Sequence, residues 1–500
     1  MILVAIGLPL VAVIPILLAD DFPNLREGIS LATGLIVLTL IVQIYGAVSA
    51  GEMPTVDVIE MLPGLSITFA IDPLGMLFAG IASFLWIVTT IYAIGYMRGH
   101  HEENQTRFYA CFAIAIGSAI GVAFAGNMLT LFVFYEILTI STFPLVTHHG
   151  TEKAKKAGRT YLGILLGTSI GLQLFAILWT WVATGTLDFR EGGILEGNIQ
   201  GPMVGILLAL YVYGIGKAAL MPFHRWLPAA MVAPTPVSAL LHAVAVVKAG
   251  VFTVVKVVVY IFGVDFLADQ SSSDWLLYMA GFTVVVASVI AMRQDNLKRR
   301  LAYSTISQLS YVIIAAAILS PISIVGAAMH IAAHAFGKIT LFFAAGSILV
   351  ASHKTNVSQL DGIGRRMPWT MVAFAIGALS MIGLPPTAGF ISKWYILQGA
   401  LDRDLMFAVA VIIGSTLLNA AYFLPIVYAA FFRAEASLSH STHPATGSHD
   451  DAGHHHAVDH GEAPVAIVIA LCITAGMTIA LFFFPDVPLG LAQDLMGGWK

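Results

Sequence analysis

The sequence carries little charge, since Asp, Glu, Lys and Arg make up only 10% of its 500 residues. A soluble globular protein carries about 25%. Hydrophobic residues account for 58% of the chain, and apolar runs of about 20 residues recur along its length. This composition excludes an ordinary soluble protein and predicts a polytopic membrane protein. The net charge of −4 gives no indication of a nucleic-acid partner.

Cysteine is almost absent, and both Cys111 and Cys472 lie in apolar runs without the spacing of a metal site. They are expected to be packing residues, so no disulfide framework is predicted. The sequence has no Cys-x-x-Cys pair and no haem attachment site, so no cofactor is expected. Residues 1–5 lack the basic stretch and the cleavage site of a signal peptide, and we expect them to begin a first membrane span.

The apolar runs predict an all-α membrane protein with about fourteen transmembrane helices. Their approximate bounds are 1–19, 29–49, 73–97, 108–126, 129–147, 161–184, 203–221, 236–262, 275–292, 301–319, 323–352, 369–396, 406–432 and 463–485. The run 323–352 is longer than a bilayer requires, which predicts a tilted or bent helix.

Loop charge predicts an orientation for these helices. The basic loops fall on one side of a fourteen-helix chain: Arg98–Arg107, Lys153–Arg159, Arg293–Arg300 and Lys354–Arg366. The acidic loops fall on the other side: Glu52–Glu60, Asp188–Glu196 and Asp265–Asp274. By the positive-inside rule the basic side is cytoplasmic, which places both termini outside a multi-pass plasma-membrane (inner-membrane) protein. The first loop, Asp20–Glu27, is mixed in charge and does not follow this pattern.

Histidine is concentrated in the loop 433–462, which holds seven of the sixteen histidines together with several aspartates. Histidine with carboxylate can bind zinc or nickel, so His454, His455 and His456 are weak metal candidates. The plainer interpretation is a disordered polar loop between two spans.

Titratable side chains interrupt the apolar runs. They are Glu136, Lys217, His242, Lys248, Lys256, His330, His334, Lys338 and Lys393. A charge at membrane depth costs at least ~2.5–3.5 kcal/mol on insertion scales, and such residues mark ion or proton pathways. Duller roles stay open for several of them. His242 and His330 could be core histidines, Lys338 could reach the interface, and Lys256 is expected to be an interfacial anchor.

Prolines are expected to break two of the spans beside a buried lysine. Pro222 follows Lys217 and would clash with the carbonyl four residues before it, and the pair Pro385-Pro386 precedes Lys393. Broken helices at corresponding places in two halves point to an ion site at mid-membrane. The freed carbonyls can also solvate a proton path. His224 is expected mainly to fix the first broken helix.

Spacing and chemistry predict a proton relay. His330, His334 and Lys338 are spaced i, i+4 and i+8, which places them on one helical face. A buried lysine loses its proton easily unless a carboxylate is near. A pair between Glu136 and Lys217 would therefore keep the lysine protonated, and its separation would release the proton toward Lys248. Histidines can relay protons because they titrate near neutral pH. Tyr303, Ser304, Ser307 and Gln308 form a polar stripe for helix packing or for lining the path.

The stretch from Lys217 to Gly250, including Pro222-Phe-His-Arg-Trp-Leu-Pro, resembles the signature of the proton-translocating antiporter-like subunits. Such subunits occur in Mrp-type cation/proton antiporters, respiratory complex I and membrane-bound hydrogenases. The stretch Asp295–Gln308 and the sequence His334-Ala-Phe-Gly-Lys338 also match, and the resemblance covers roughly 70–430.

The resemblance implies a fourteen-helix core with two inverted five-helix repeats. With these repeats the predicted segments are helices 1–3 (1–107), the first repeat (108–262), the second repeat (275–432) and a last helix (463–500). The His-rich loop (433–462) lies before the last helix and is not part of the resemblance. It also implies the proton-carrying residues, which are Glu136, Lys217, Lys248, His334, Lys338 and Lys393. His242, His330 and His224 are secondary candidates.

These observations predict a proton-translocating subunit of a multisubunit monovalent cation/proton antiporter, and no enzyme activity of its own. The end of the chain soon after its fourteenth span and Lys393 resemble the Mrp D-type subunit, whereas Ala233–His242 is more similar to the large-subunit type. Expected partners are other hydrophobic subunits, including a second antiporter-like one, lipid, protons and a cation, with Na⁺ first among Na⁺, K⁺ and Li⁺. The alternatives are a proton-pumping subunit of a complex I-like NADH/quinone dehydrogenase or membrane hydrogenase, and a stand-alone permease.

Overall fold

The computed structural model describes residues 1–52, 54–434 and 461–497, and these are mostly helical. The helices are α1 Ile2–Leu18, α2 Pro23–Ser49, α3 Pro73–Gly99, α4 Gln105–Ala123, α5 Met128–Val146, α6 Glu152–Thr168, α7 Leu174–Thr184, α8 Pro202–Gly214, α9 Trp226–Ala229, α10 Thr235–Ala239, α11 Val246–Lys256, α12 Val264–Ala268, α13 Trp275–Met292, α14 Leu297–Ala317, α15 Pro321–Ser352, α16 Ile363–Arg366, α17 Pro368–Ile382, α18 Ala388–Asp402, α19 Met406–Phe432, α20 Val465–Phe483 and α21 Asp486–Asp494. Most of the predicted 433–462 loop, with His454, His455 and His456, lies outside the described residues.

Ten helical stretches of the described chain are long and apolar enough to cross a membrane. Three shorter apolar helices, α1, α8 and α17, accompany them. The prediction of a polytopic helical membrane protein is confirmed. The count of fourteen stays a prediction, in part because α14 opens with Lys298, Arg299 and Arg300 and is not among these stretches.

Wide helical turns lie inside two of the long stretches. A π-helical segment at Ser169–Gln173 joins α6 to α7. A second one at Leu240–Val244 joins α10 to α11, and a third follows α11 at Val257–Phe262. Such turns are found mostly as single insertions at functional sites. The helix that carries Lys248 is therefore flanked by π-helical turns on both sides.

A β-hairpin makes the all-α prediction wrong in one element. Strands β1 (Thr55–Leu62) and β2 (Leu65–Ala70) pair antiparallel. Their β-branched residues favour strands, and Gly64 has the positive φ of +79° that the tight turn requires. The hairpin packs against the start of α5, where the Thr68 amide donates to Thr130 Oγ1 at 2.9 Å.

The four basic loops lie together on one side of the molecule, which we call the basic face. Arg107 donates to the His148 carbonyl at 2.9 Å, and His149 Nε2 lies 3.1 Å from the Glu102 carboxylate. The Leu297 amide donates to the Thr355 carbonyl at 2.9 Å. The opposite face holds the hairpin and the acidic loops. This grouping agrees with the loop charges read from the sequence.

The first helix break lies earlier than predicted. Helix α8 ends at Gly214, before Lys217, whereas the sequence predicted a helix to residue 221 broken by Pro222. The reason is close packing, because a Cβ at Gly214 would lie 2.3 Å from the Gln173 amide nitrogen and one at Gly216 would lie 2.3 Å from Thr168 Oγ1. Two glycines in one turn also weaken the helix.

The second break lies where the sequence places it. Helix α17 ends at Ile382 and α18 begins at Ala388, with Pro385 and Pro386 between them. Gly383 takes a φ of +91° at the end of α17. A Cβ at Gly389 would lie 1.8 Å from the Ser380 carbonyl oxygen, so the two half-helices meet in backbone contact.

Candidate functional site

Lys217 lies in the short 3₁₀ turn after α8 and is held entirely by α5. Its Nζ donates to the Tyr135 carbonyl at 2.8 Å and to Thr139 Oγ1 at 2.5 Å, and it lies 3.1 Å from the centre of the Tyr135 ring. The Lys217 amide also donates to the Tyr135 hydroxyl at 3.1 Å. The side chain is fully buried. Neutral dipoles and an aromatic face thus solvate this lysine.

Glu136 is the next residue along α5, yet it does not bond directly to Lys217. Neither of its carboxylate oxygens has a hydrogen-bond partner among the described residues, and both are buried. The expected pairing of Glu136 with Lys217 is therefore absent as a direct contact in this conformation. Glu136 directly follows Tyr135, whose carbonyl binds Lys217, so the carboxylate belongs to the same turn of α5 as a group that holds the lysine.

Helix α11 touches the turn that carries Lys217. A Cβ at Gly250 would lie 2.3 Å from the Ala218 amide nitrogen and 2.4 Å from the Lys217 carbonyl carbon. Only glycine allows this approach of two backbones. Since Lys248 lies two residues earlier on α11, the two lysines belong to elements in direct contact.

Lys248 and His334 are joined by a hydrogen bond of 2.7 Å between Nζ and Nδ1, although they are 86 residues apart. Both are buried, at 0% and 1% exposure. A hydrogen bond between an amine and an imidazole nitrogen requires a lone pair on one of them. The pair therefore holds at most one shared proton between the two nitrogens while the bond persists, and this proton can sit on either side.

His330 continues the line from His334 toward Lys393. The two histidine rings stack with centres 6.2 Å apart, and His330 Nδ1 lies 2.9 Å from Ser392 Oγ. The ring of Tyr311 lies between His330 and Lys393. Its centre is 5.5 Å from the centre of the His330 ring and 4.4 Å from Lys393 Nζ. Tyr311 was not singled out in the sequence, where it is one more aromatic residue in an apolar run.

Lys393 is held by the broken helix, as its proximity to Pro386 predicts. Its Nζ donates to the carbonyls of Met381 at 2.8 Å and Ile382 at 3.0 Å, which are the last two residues of α17. The last carbonyls of a helix have no partner within it and carry partial negative charge. The break therefore supplies the lysine with its ligands.

Lys338 leads into a side branch. Its Nζ donates to Ser304 Oγ at 2.8 Å, and the Tyr422 hydroxyl donates to the same oxygen at 3.0 Å. Tyr422 also bonds to Asn419. Lys338 is fully buried, so it does not reach the interface. Ser304 thus binds a lysine, whereas Ser307 of the same stripe packs against Ser288 at 2.9 Å.

Of the three secondary histidines, His330 lies on this line, whereas His242 and His224 lie away from it. His242 is fully buried in a π-helical turn with its ring 4.7 Å from Phe342, and neither ring nitrogen finds a partner in the described chain. His224 is half-buried, with its ring 6.4 Å from the ring of Tyr303. The structure brings neither of them into hydrogen-bond contact with Lys217 or Lys248 in the described part of the molecule.

Lys256 is not the interfacial anchor that the sequence suggested. It is 1% exposed and forms an ion pair with Asp72, and its Nζ lies 4.3 Å from the centre of the Phe189 ring. Asp72 also caps α3 by accepting from the Gly75 amide at 3.0 Å. The Asp-Pro pair before a span signals the cap, but nothing in the sequence signals a partner 184 residues away.

Metal binding finds no support in the part of the chain that the structure describes. No group of three His, Cys, Asp or Glu there could hold a metal ion. The weak candidates of the His-rich loop lie outside it.

Comparison with known proteins gives two family matches. Residues 125–419 match the family described as NADH:quinone oxidoreductase/Mrp antiporter, transmembrane. Residues 63–109 match the family described as NADH-ubiquinone oxidoreductase (complex I), chain 5 N-terminus.

Subunits of three different complexes are similar to this chain. The N subunit of NADH-quinone oxidoreductase from Desulforudis audaxviator is 33% identical over 74% of this chain and 74% of its own length. The A/B subunit of a probable K⁺/H⁺ antiporter from Rhizobium meliloti is 34% identical over 78% of this chain but only 39% of its own length. A chain of an archaeal respiratory complex, the membrane-bound sulfane sulfur reductase, shares the fold with a TM-score of 0.85 at 24% identity, covering 99% of this chain and 97% of its own.

Proposed function

The chain belongs to the NADH:quinone oxidoreductase/Mrp antiporter transmembrane family, and on this basis we propose that it translocates protons within a multisubunit monovalent cation/proton antiporter. It is an antiporter-like membrane subunit of the Mrp or complex I kind. The proposal adds the proton route through this chain and the type of complex.

The observation that carries the proposal is the buried hydrogen bond between Lys248 and His334. It connects α11 to α15 in the interior, where an isolated charge is costly. A proton delivered to Lys248 from Lys217 can cross this bond to His334. It then passes by way of His330 and Tyr311 to Lys393, and Lys338 with Ser304 forms a branch.

We further propose that Glu136 controls the first step. In the present conformation Lys217 binds only neutral groups of α5, so no carboxylate balances its charge directly. Rotation of Glu136 toward Lys217 would favour the protonated lysine. Alternation between the two arrangements would load and release one proton per cycle.

The architecture proposed for this function is the fourteen-helix core with inverted repeats at 108–262 and 275–432, between segments 1–107 and 463–500. It is supported by the place of the two breaks, because α8 and α17 each lie in the fourth span of their repeat. Each break also carries or adjoins a buried lysine, and at the second break the last carbonyls of α17 bind Lys393. The basic face would be cytoplasmic and both termini outside.

The partner complex is proposed to be an Mrp-type antiporter, which is supported by the family description and by the relative from Rhizobium meliloti that is named as a K⁺/H⁺ antiporter subunit. The complex would contain further hydrophobic subunits and exchange protons for a monovalent cation, with Na⁺ as the first candidate. One observation favours a second candidate, a proton-pumping subunit of a redox-driven complex. The NADH-quinone oxidoreductase relative from Desulforudis audaxviator matches over similar shares of both chains, whereas the antiporter relative extends far beyond the match.

Proton-coupled cation flux in vesicles tests the proposed route. Lys217→Ala and His334→Ala are expected to lower the flux at least tenfold, because each removes a proton carrier, while the complex still assembles. Lys248→Arg should harm it less than Lys248→Ala, although a guanidinium cannot release its proton. The matched control is Lys155→Ala, which removes an exposed lysine paired only with Glu152 at the basic face.

A pH-sensitive dye inside the vesicles reports the flux after addition of NaCl or KCl. Full flux in Lys217→Ala or His334→Ala, with normal assembly, would refute the route. Purification through a tag on this chain, followed by mass spectrometry, separates the two complexes. Small hydrophobic membrane proteins with a second antiporter-like subunit support the antiporter, and iron–sulfur or nickel proteins support the redox-driven pump.

A further inference from the structure

A cavity of about 490 Å³ opens on the basic face between α6, the α9 segment and α14. Four cations line it: Lys153, Lys156, Arg225 and Arg299. Thr160, Asn296 and Tyr303 add polar groups, and the described lining contains no Asp or Glu. Like charges gathered around one cavity repel each other unless an anion lies between them.

The four cations have no ion-pair partner in the described part of the chain. The contrast on the same helix is Lys155, which binds Glu152 at 2.8 Å and does not line the cavity. Cationic side chains with open donors and a planar guanidinium suit the oxygens of a phosphate. The cavity is therefore complementary to a phosphate group.

Helix α6 continues from the cavity along the apolar surface, where two positions without side chains leave a shallow depression that we call the groove. A single stripe at spacings of three and four residues runs through Lys153, Lys156, Thr160, Gly163, Gly167 and Ile170. Both glycines are exposed, and a Cβ there would meet no atom of the described chain within 4 Å. Ile170 is 55% exposed. The stripe thus passes from cations to an open apolar surface within three turns, as a lipid passes from headgroup to acyl chain.

We propose that this cavity and groove bind an anionic phospholipid, with its phosphate among the four cations and an acyl chain along Gly163 and Gly167. A soluble phosphate would use the cations but leave the groove unused. A lipid explains both parts of the stripe.

One lining residue of the cavity, Arg225, is adjacent to a contact with the Lys217 turn. Arg225 precedes Trp226, whose Nε1 donates to the Gly216 carbonyl at 3.0 Å, next to Lys217. A phosphate on Arg225 would hold the segment that fixes the Lys217 turn. Binding itself does not depend on proton transport, so the site can be tested by a measurement that is blind to flux.

Native mass spectrometry of the delipidated complex, titrated with short-chain phosphatidylglycerol, measures the binding. Each cation near an anionic lipid surface contributes about a fivefold change in affinity. The double variant Lys153→Gln/Lys156→Gln is therefore expected to weaken binding about thirtyfold. The control Lys155→Gln/Arg159→Gln makes the same charge change on the same helix outside the cavity, and less than a threefold change is expected there.

Further measurements distinguish a lipid phosphate from a soluble phosphate as the ligand. Gly163→Leu fills the groove and should weaken phosphatidylglycerol binding while leaving glycerol 3-phosphate unaffected. Equal effects of the two double variants, or equal binding of phosphatidylcholine, would overturn the site. Glycerol 3-phosphate binding as tightly as phosphatidylglycerol, with the same dependence on Lys153 and Lys156, would overturn the lipid as its ligand.

Discussion

Removing the carboxylate of Asp72 is expected to destabilise the protein strongly, because Lys256 would remain buried without a counter-charge. Lys256 is 1% exposed and paired with Asp72. Loss of one partner of a buried ion pair costs about 3–5 kcal/mol. Asp72→Asn isolates this effect, since asparagine caps a helix as well as aspartate does and preserves the bond from the Gly75 amide.

Three further variants complete a double-mutant cycle on this ion pair. Asp72→Ala also loses the helix cap, which adds about 1 kcal/mol and gives about 4–6 kcal/mol in total. Lys256→Met leaves a carboxylate that is partly exposed and still caps α3, so a smaller cost of about 1–3 kcal/mol is expected. Asp72→Asn/Lys256→Met removes both charges and should be close to Lys256→Met alone, because an uncharged pair of similar volume is tolerated.

The assay is unfolding of the purified complex by sodium dodecyl sulfate in mixed micelles, followed by tryptophan fluorescence. The expected order of stability is wild type, then Lys256→Met with the double variant, then Asp72→Asn, then Asp72→Ala. A cost below about 1 kcal/mol for Asp72→Asn would refute the reasoning from burial. So would a double variant that is no more stable than Asp72→Asn.

Two other predictions concern packing and pH. Gly250→Ala should lower proton flux severalfold, because its methyl group would lie 2.4 Å from the Lys217 carbonyl carbon and push against that turn. The control is Gly476→Ala on the exposed face of α20, where a Cβ meets no described atom within 4 Å. It should keep full flux. At the basic face, the hydrogen bond to the Glu102 carboxylate raises the pKa of His149 above its ordinary 6.5. This contact stabilises the fold below about pH 6.5 and is lost as the pH rises through the raised value. Glu102→Gln should therefore lower thermal stability at pH 6 and have less effect at pH 9; an effect independent of pH would contradict the prediction.

The buried residues of the candidate site could be selected from the sequence because lysine and histidine are costly inside apolar runs. Lys248 and His334 both stood out for that reason. Their direct contact could not be predicted, since a single sequence does not tell which helices are neighbours. Tyr311 was missed because an aromatic residue in an apolar run carries no such signal.

The helix breaks show where local rules compete. At Pro385 and Pro386 the proline rule was sufficient, and α17 ends just before them. Ahead of Pro222 the helix had already ended at Gly214. Gly214 and Gly216 mark that position, because they weaken the helix and allow close packing, but the sequence does not show which segment packs there.

The β-hairpin was missed for a related reason. The stretch Thr55–Ala70 lies between two long apolar runs and is too short and too polar to suggest a span. Its alternating β-branched residues are a strand signal that the prediction by apolar runs did not use. The hairpin also depends on contacts with the start of α5, which only the folded chain supplies.

The position of three titratable groups on α15 has an electrical consequence. From His330 to Lys338 the helix rises about 12 Å, at 1.5 Å per residue. With allowance for tilt, this distance is roughly a third of the 30 Å hydrocarbon core. One elementary charge moved through that third gains or loses about 0.8 kcal/mol for each 100 mV across the membrane. The occupancies of the two ends of this helix would then shift roughly fourfold with such a voltage, so the branch proposed at Lys338 would depend on the membrane voltage.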